Sequence, residues 1–138
     1  MELAKNKKAY FNYEVLERFE AGMVLIGQEV KSIKSGRINL VGAYVILRGG
    51  EAYLINAFVP PYQPKNLVQE YDPVQPRKLL LKKKEIKYLT GKAEQKGLTL
   101  VPLRVYTKKG KIKLEFGIGR GRKKVDKKEL IKKRETAR

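Results

Sequence analysis

The chain has 138 residues, 32 of them Lys or Arg against 14 Asp or Glu, for a formal net charge of +18. It holds no Cys, His or Trp, which excludes a disulfide framework, a thiol nucleophile, a zinc site of the usual kind and an imidazole base. The length suits one domain, the 42% hydrophobic content supports a core, and the longest run free of charge, 13 residues from Ala52 to Pro64, is too short to span a membrane.

Residues 1–12 are polar and lysine-rich up to Ala9, Tyr10 and Phe11, and the first few are expected to fray. Met1 to Lys5 lacks the apolar core of a signal peptide, so the expected compartment is the cytoplasm. The alternation Tyr13, Val15, Phe19 predicts a strand, continued by Met23 to Ile26 after a bend or bulge at Gly22. Gln28 to Lys34 predicts a short helix closed by Gly36, with Val30 and Ile33 three apart among Glu29, Lys31 and Lys34.

Ala43 to Leu47 and Ala52 to Ala57 flank Arg48-Gly49-Gly50-Glu51, a hairpin signal. Pro60, Pro61 and Pro64 open an irregular loop that runs to about Pro76. Leu79 to Lys96 carries the clearest helical pattern, with Leu79, Ile86, Leu89 and Ala93 on one face, Gly91 in its middle and Gly97 as its stop. Leu98 to Tyr106 and Ile112 to Ile118 predict two strands joined by the basic segment 107–111. Six or so strands with two to three helices predict a mainly β fold, a small antiparallel barrel of the oligonucleotide/oligosaccharide-binding (OB) type over residues 1–119. Residues 120–138 cannot build a core and are expected to be disordered alone.

The charge is uneven. Residues 120–138 carry 10 basic and 3 acidic residues, so a net +7 sits in 19 residues, about four times the density of the remainder. Such a balance points first to a polyanion. An anionic membrane is the weaker match, because the tail offers only Val125, Leu130, Ile131 and Ala137 as an apolar face.

Enzymatic chemistry finds little support. Glu14, Glu17 and Glu20 recur at spacing three, but a strand turns neighbours of that spacing to opposite faces, and on a basic domain they offset surface charge. Gly117-Ile118-Gly119-Arg120-Gly121 lacks the Walker spacing and its Lys-Ser/Thr end, and reads as a flexible segment after the last strand. Six basic clusters remain: Lys5, Lys7, Lys8; Lys31, Lys34, Arg37; Arg77, Lys78; Lys82 to Lys84; Lys108, Lys109, Lys111; and the tail. Tyr10, Phe11, Tyr62, Tyr71 and Tyr106 lie near them as stacking residues or as core and loop anchors. Glu29, an acid beside a basic helix, fits either a local salt bridge or an acceptor for base or ribose donors.

Several motifs then occur in order. Asn6-Lys7-Lys8-Ala9, Glu20 to Leu25 leading into Gly27-Gln28-Glu29-Val30-Lys31-Ser32, Asp72-Pro73 before Arg77 to Leu81, Lys96 to Leu103, and Gly121-Arg122-Lys123-Lys124-Val125-Asp126-Lys127-Lys128 together resemble the SsrA-binding protein (SmpB) family, colinearly from about Asn6 onward. The resemblance implies an OB-type barrel that is not an enzyme, needs no cofactor and acts as a monomer. It implies binding to the tRNA-like domain of transfer-messenger RNA and delivery of that RNA, with elongation factor Tu, to the small subunit of stalled bacterial ribosomes. The tail would become helical in the empty messenger channel.

It further implies RNA-binding roles for Asn6, Lys7, Lys8, Glu29, Lys31, Ser32, Lys34, Arg77 and Lys78, to which the basic hairpin adds Lys108 and Lys109. Decoding-centre and channel roles fall to Gly121, Arg122, Lys123, Lys124, Asp126, Lys127 and Lys128. Val125 stands where the family usually has His or Tyr, Gln75 where it tends to have Arg, and Gln28 where Ser or Thr is usual. The alternative expectation is a structural ribosomal protein or a general RNA-binding barrel.

Overall fold

The computed structural model describes residues 1–62 and 70–122. In chain order its elements are β1 (Glu2–Lys5), α1 (Lys7–Asn12), β2 (Tyr13–Met23), α2 (Gly27–Lys34), β3 (Tyr44–Arg48), β4 (Glu51–Ile55), β5 (Arg77–Leu80), α3 (Lys83–Ala93), β6 (Leu98–Lys108) and β7 (Lys111–Gly121). The strands form one antiparallel sheet in the order β1-β6-β7-β2-β5-β4-β3. The sheet curls until β3 lies against β6, giving the expected mainly β barrel with three helices.

The two hairpins follow from their turns. Gly49 and Gly50 adopt φ of 60° and 77°, and Lys109 and Gly110 adopt 52° and 78°. Two consecutive left-handed residues match the twist of the flanking strands. The second hairpin is therefore tighter than the five-residue connection expected, because β6 and β7 pair down to Lys108↔Lys111.

Three expectations need correction. The first few residues do not fray: β1 pairs with β6, Thr107 N–H donates to Met1 O at 2.9 Å, and Asn6 stops the strand by capping α1. The helix expected from Leu79 begins only at Lys83, since Leu79 and Leu80 lie in β5, where Leu79 is buried and Leu80 faces out. The helical spacing of Leu79 with Ile86 was thus a coincidence across a strand–helix junction. Third, Gly117 to Gly121 is not a flexible segment but the end of β7, paired to β2 as far as Tyr13↔Gly121. The barrel accordingly runs two residues beyond 119.

The bulge of β2 lies at Leu16, between Val15 and Glu17, rather than at Gly22. Gly117 pairs with Arg18 just past the bulge, and a Cβ on it would come within 2.7 Å of Glu17 O. Gly22 instead marks the change of partner, pairing with Lys113 of β7 and Leu80 of β5. Ile33 of α2 and Leu89 of α3 are fully buried against Leu54, Leu79, Leu114 and Phe116 in one core. Each such side chain contributes about 1.5–3 kcal/mol on leaving water.

Candidate nucleic-acid interface

Among the described residues, the buried polar or charged side chains are Asn6, Glu29, Ser32 and Arg77. All four are expected RNA-binding residues, and the structure puts all four inside, bonded to protein.

Glu29 and Arg77 form the centre. Glu29 sits at the third position of α2, and its Oε1 accepts the Ile26 N–H at 3.1 Å, the return half of a capping box. Its Oε2 accepts Arg77 Nε at 2.6 Å, with the two side chains 2% and 1% exposed. Gln75 Nε2 donates to the same oxygen at 3.1 Å, and Tyr71 Oη at 3.4 Å. Gln75 is thus a half-buried partner of Glu29.

Arg77 completes the tie. Nη1 donates to Ala57 O at 2.7 Å, and Nη2 to Pro73 O at 2.9 Å and Tyr71 Oη at 3.3 Å. One guanidinium therefore joins α2, the chain after β4 and the segment before β5. Of the two readings open for Glu29, the geometry is that of the local salt bridge. Burial, then the Glu29 charge, pushes the Tyr71 phenol above its ordinary value. Ser32 Oγ donates to Pro60 O at 2.7 Å, fixing α2 to the start of the proline loop.

Asn6 does the same at the other end. Its Nδ2 donates to Pro102 O at 3.0 Å and Leu40 O at 3.3 Å, and its Oδ1 accepts Ala9 N–H. The β6 strand bulges between Pro102 and Arg104, which is how a residue without N–H is accommodated inside a sheet.

The exposed cations hang on this frame. Lys31 and Lys34 project from α2 while Glu29, Ser32 and Ile33 turn inward, and Lys31 Nζ lies 5.8 Å from the Tyr62 ring centroid. Lys7 and Lys8 are exposed on α1. Lys78 pairs with Glu51 at 3.0 Å, and Lys108 with Glu20 at 3.5 Å. Such half-exposed pairs contribute about 0–1 kcal/mol and open readily. Lys109 is exposed at the hairpin tip.

The tyrosines divide likewise. Tyr71 and Tyr106 are anchors: Tyr106 is buried, donates to Glu20 and lies against the Arg104 guanidinium. Burial and then the Glu20 bond raise the Tyr106 phenol, and the same bond holds Glu20 below the usual carboxylate range. Tyr10 lies between Lys5 and Arg18, 5.6 and 5.5 Å from its ring centroid.

Gly121 pairs with Tyr13, and Arg122 is fastened to α1 through its N–H on Asn12 O at 2.8 Å and Nε on Tyr10 O at 3.4 Å. Both belong to the barrel. Lys123, Lys124, Val125, Asp126, Lys127 and Lys128, and with them the expected tail conformation, lie outside the described residues.

The sequence reading missed one convergence. A cavity of about 320 Å³ is lined by Met23, Leu25, Val30, Leu80 and Ile112 together with Lys34, Lys111 and Lys113. Lys111 belonged to a basic cluster, but Lys113 was unmarked. The alternation of Lys111 and Lys113 along one strand face was the signal available.

No described helix is long and apolar enough to cross a membrane, and no group of three or more metal-ligating side chains occurs among the described residues.

Comparison with known proteins is consistent along the chain. The family model described as SmpB protein matches residues 3–138. The SsrA-binding protein of Thermosynechococcus vestitus is 48% identical over 136 residues, covering 99% of this chain and 90% of the relative. That of Cupriavidus pinatubonensis is 49% identical over 138 residues, covering 100% and 92%. A solved chain from "tmRNA-SmpB: a journey to the center of the bacterial ribosome" superposes with a TM-score of 0.73 at 42% identity, covering 93% of each chain. The chain belongs to the SmpB family.

Proposed function

We propose that this protein is a non-enzymatic RNA-binding adaptor of trans-translation. It binds the tRNA-like domain of transfer-messenger RNA and carries it, with elongation factor Tu, to stalled ribosomes in the bacterial cytoplasm. The observation that carries this reading is the identity of nearly half the residues with SsrA-binding proteins over almost the whole chain.

The physical division of labour follows. Exposed Lys7, Lys8, Lys31, Lys34, Lys78, Lys108 and Lys109 meet RNA phosphates, which supply affinity without reading sequence. Asn6, Glu29, Ser32 and Arg77 act one step behind, fixing α1 and α2, which present Lys7, Lys8, Lys31 and Lys34, and the start of β5, which carries Lys78. Gly121 and Arg122 set where the C-terminal segment leaves the barrel, and Lys123, Lys124, Asp126, Lys127 and Lys128 contact the decoding centre and messenger channel. A segment of that charge competes with messenger for the same RNA-lined path. The protein works as a monomer.

A competition binding assay at near-physiological salt tests the reading, with the tRNA-like domain set against ordinary tRNA and a ribosomal RNA fragment of equal length. A preference of tenfold or more, about 1.4 kcal/mol, is expected for the tRNA-like domain. Equal binding to all three would leave a general basic RNA-binding barrel or a ribosomal protein.

A further inference from the structure

We propose that the cavity between β2, β5 and the tip of the β6–β7 hairpin seats one unpaired nucleobase of the bound RNA, whose two flanking phosphates lie on Lys34, Lys111 and Lys113. This rests on the RNA-binding reading above and adds a subsite to it.

One residue of the cavity wall, Gly22, has no side chain. A Cβ there would stand 3.4 Å from Leu80 Cδ1 and 3.7 Å from Lys113 Nζ, both residues of the same lining. The φ of Gly22 is not in the left-handed region, so the backbone does not demand glycine. The volume of about 320 Å³ is at the lower end of small-molecule sites, roughly 300–1,000 Å³.

The lining combines two chemistries. Met23, Leu25, Val30, Leu80 and Ile112 form an aliphatic floor. Leu80 is 55% exposed at an outward position of β5, and Val24 and Ile26 nearby along the chain are 52% and 50% exposed. Lys34, Lys111 and Lys113 also line it; none of them forms a salt bridge among the described residues, and the charge of Lys113 is felt by the Glu20 carboxylate. A phosphate alone needs no apolar floor, and an apolar group alone leaves Lys34 and Lys111 without an anion. A nucleotide with its base unstacked answers both, since a base offers two apolar faces between anionic groups and is held by apolar as well as aromatic side chains. An acidic protein segment also combines the two chemistries, but RNA is the polyanion for which the rest of the surface is charged.

The test uses the tRNA-like domain of transfer-messenger RNA as probe, intact and as a set of RNAs with a single abasic residue at each unpaired nucleotide. Three full-length proteins are compared: wild type, Gly22→Leu, which fills the cavity and keeps the lysines, and the triple variant Lys34→Ala/Lys111→Ala/Lys113→Ala. One abasic position is expected to weaken wild-type binding at least tenfold and to add no further loss to Gly22→Leu, itself at least tenfold weaker with its salt dependence unchanged. The triple variant should lower the log–log salt slope by about 1.5, for two phosphates released.

Leu80→Ser, at an exposed position, repeats the first comparison if Gly22→Leu does not fold. Equal affinity of every abasic RNA for wild type and the cavity variants would overturn the proposal. So would full RNA affinity in a folded Gly22→Leu protein; if that protein's RNA complex then failed to bind ribosomes, the cavity would instead be a protein-docking surface. Were wild type to bind the tRNA-like domain no better than tRNA, the RNA-binding reading would fall first and this subsite with it.

Discussion

Replacing Glu29 by alanine tests whether this acid contacts RNA or holds the surface that does. The carboxylate receives Ile26 N–H, Arg77 Nε and Gln75 Nε2 at 3.1, 2.6 and 3.1 Å, and it is 2% exposed. Its loss leaves the Arg77 guanidinium buried without a counter-charge, which costs about 3–5 kcal/mol. At a few degrees per kcal/mol for a domain of this size, the melting temperature should fall by about 10–20 °C. Circular-dichroism melts and urea titrations give the number directly.

Arg77→Met should cost a similar amount. The Glu29→Leu/Arg77→Met double variant should lose less than the sum of the two single changes, with a coupling of about 1–3 kcal/mol, since no charge is then stranded. RNA binding well below the melt supplies the second readout. A positioning role predicts weaker affinity with the salt slope of wild type, because no phosphate contact is removed. A drop in melting temperature below about 3 °C beside a large loss of affinity would refute the reasoning and return Glu29 to the interface.

Truncation separates the barrel from the C-terminal segment: a chain ending at Arg122 should melt like the full-length protein and keep its RNA affinity while losing tagging of stalled chains. A chain ending at Gly119 should melt lower, because it gives up Tyr13↔Gly121, Glu14↔Arg120 and the Arg122–Asn12 bond. Gly117→Ala should destabilise by about 1–3 kcal/mol, since its Cβ meets Glu17 O at 2.7 Å and Val15 Cγ1 at 2.9 Å, and urea midpoints would register the change. Gly91→Ala, in the interior of α3 with nothing within 4 Å, should stabilise by about 0.5–1 kcal/mol in the same titration. Tyr13, Tyr53, Tyr71, Tyr88 and Tyr106 are all raised above 10.0, so the fold holds their protons more tightly than the unfolded chain. Their contribution is complete below pH 10 and is lost as pH rises past it. Tyrosinate absorbance should therefore develop mostly above that value while the protein is folded, and unfolding by urea should shift it back.

Periodicity made the two hairpins and α2 legible, because Gly49-Gly50 and Lys109-Gly110 are strong local turn signals and α2 alternates charge with Val30 and Ile33. It failed where two elements meet without punctuation. Leu79 and Leu80 continue into the lysines of α3 with no glycine or proline between them, so the strand was absorbed into the helix. The first few residues looked frayed because the charge of Lys5, Lys7 and Lys8 hides their ties, which are the β1–β6 pairing and the Asn6 side chain. The glycines of Gly117 to Gly121 suggested flexibility, whereas Gly117 and Gly119 are small because Glu17 and Tyr13 crowd the space a Cβ would need.

The resemblance named RNA-binding residues, and the structure adds what their polar groups are bonded to. Motif positions such as Asn6, Glu29, Ser32 and Arg77 carry polar groups, and polar groups in an RNA-binding protein invite the assumption of contact. Here each is linked to backbone or charge across a long sequence separation: Asn6 to Pro102, Glu29 to Arg77, Ser32 to Pro60, Arg77 to Ala57. Side chains that must meet so many fixed partners tolerate little change, whereas a lysine facing a phosphate can shift one position along a helix and still neutralise it. The most specific letters of the motif therefore mark the parts that shape the surface. On the proposed reading the affinity comes from the exposed cations.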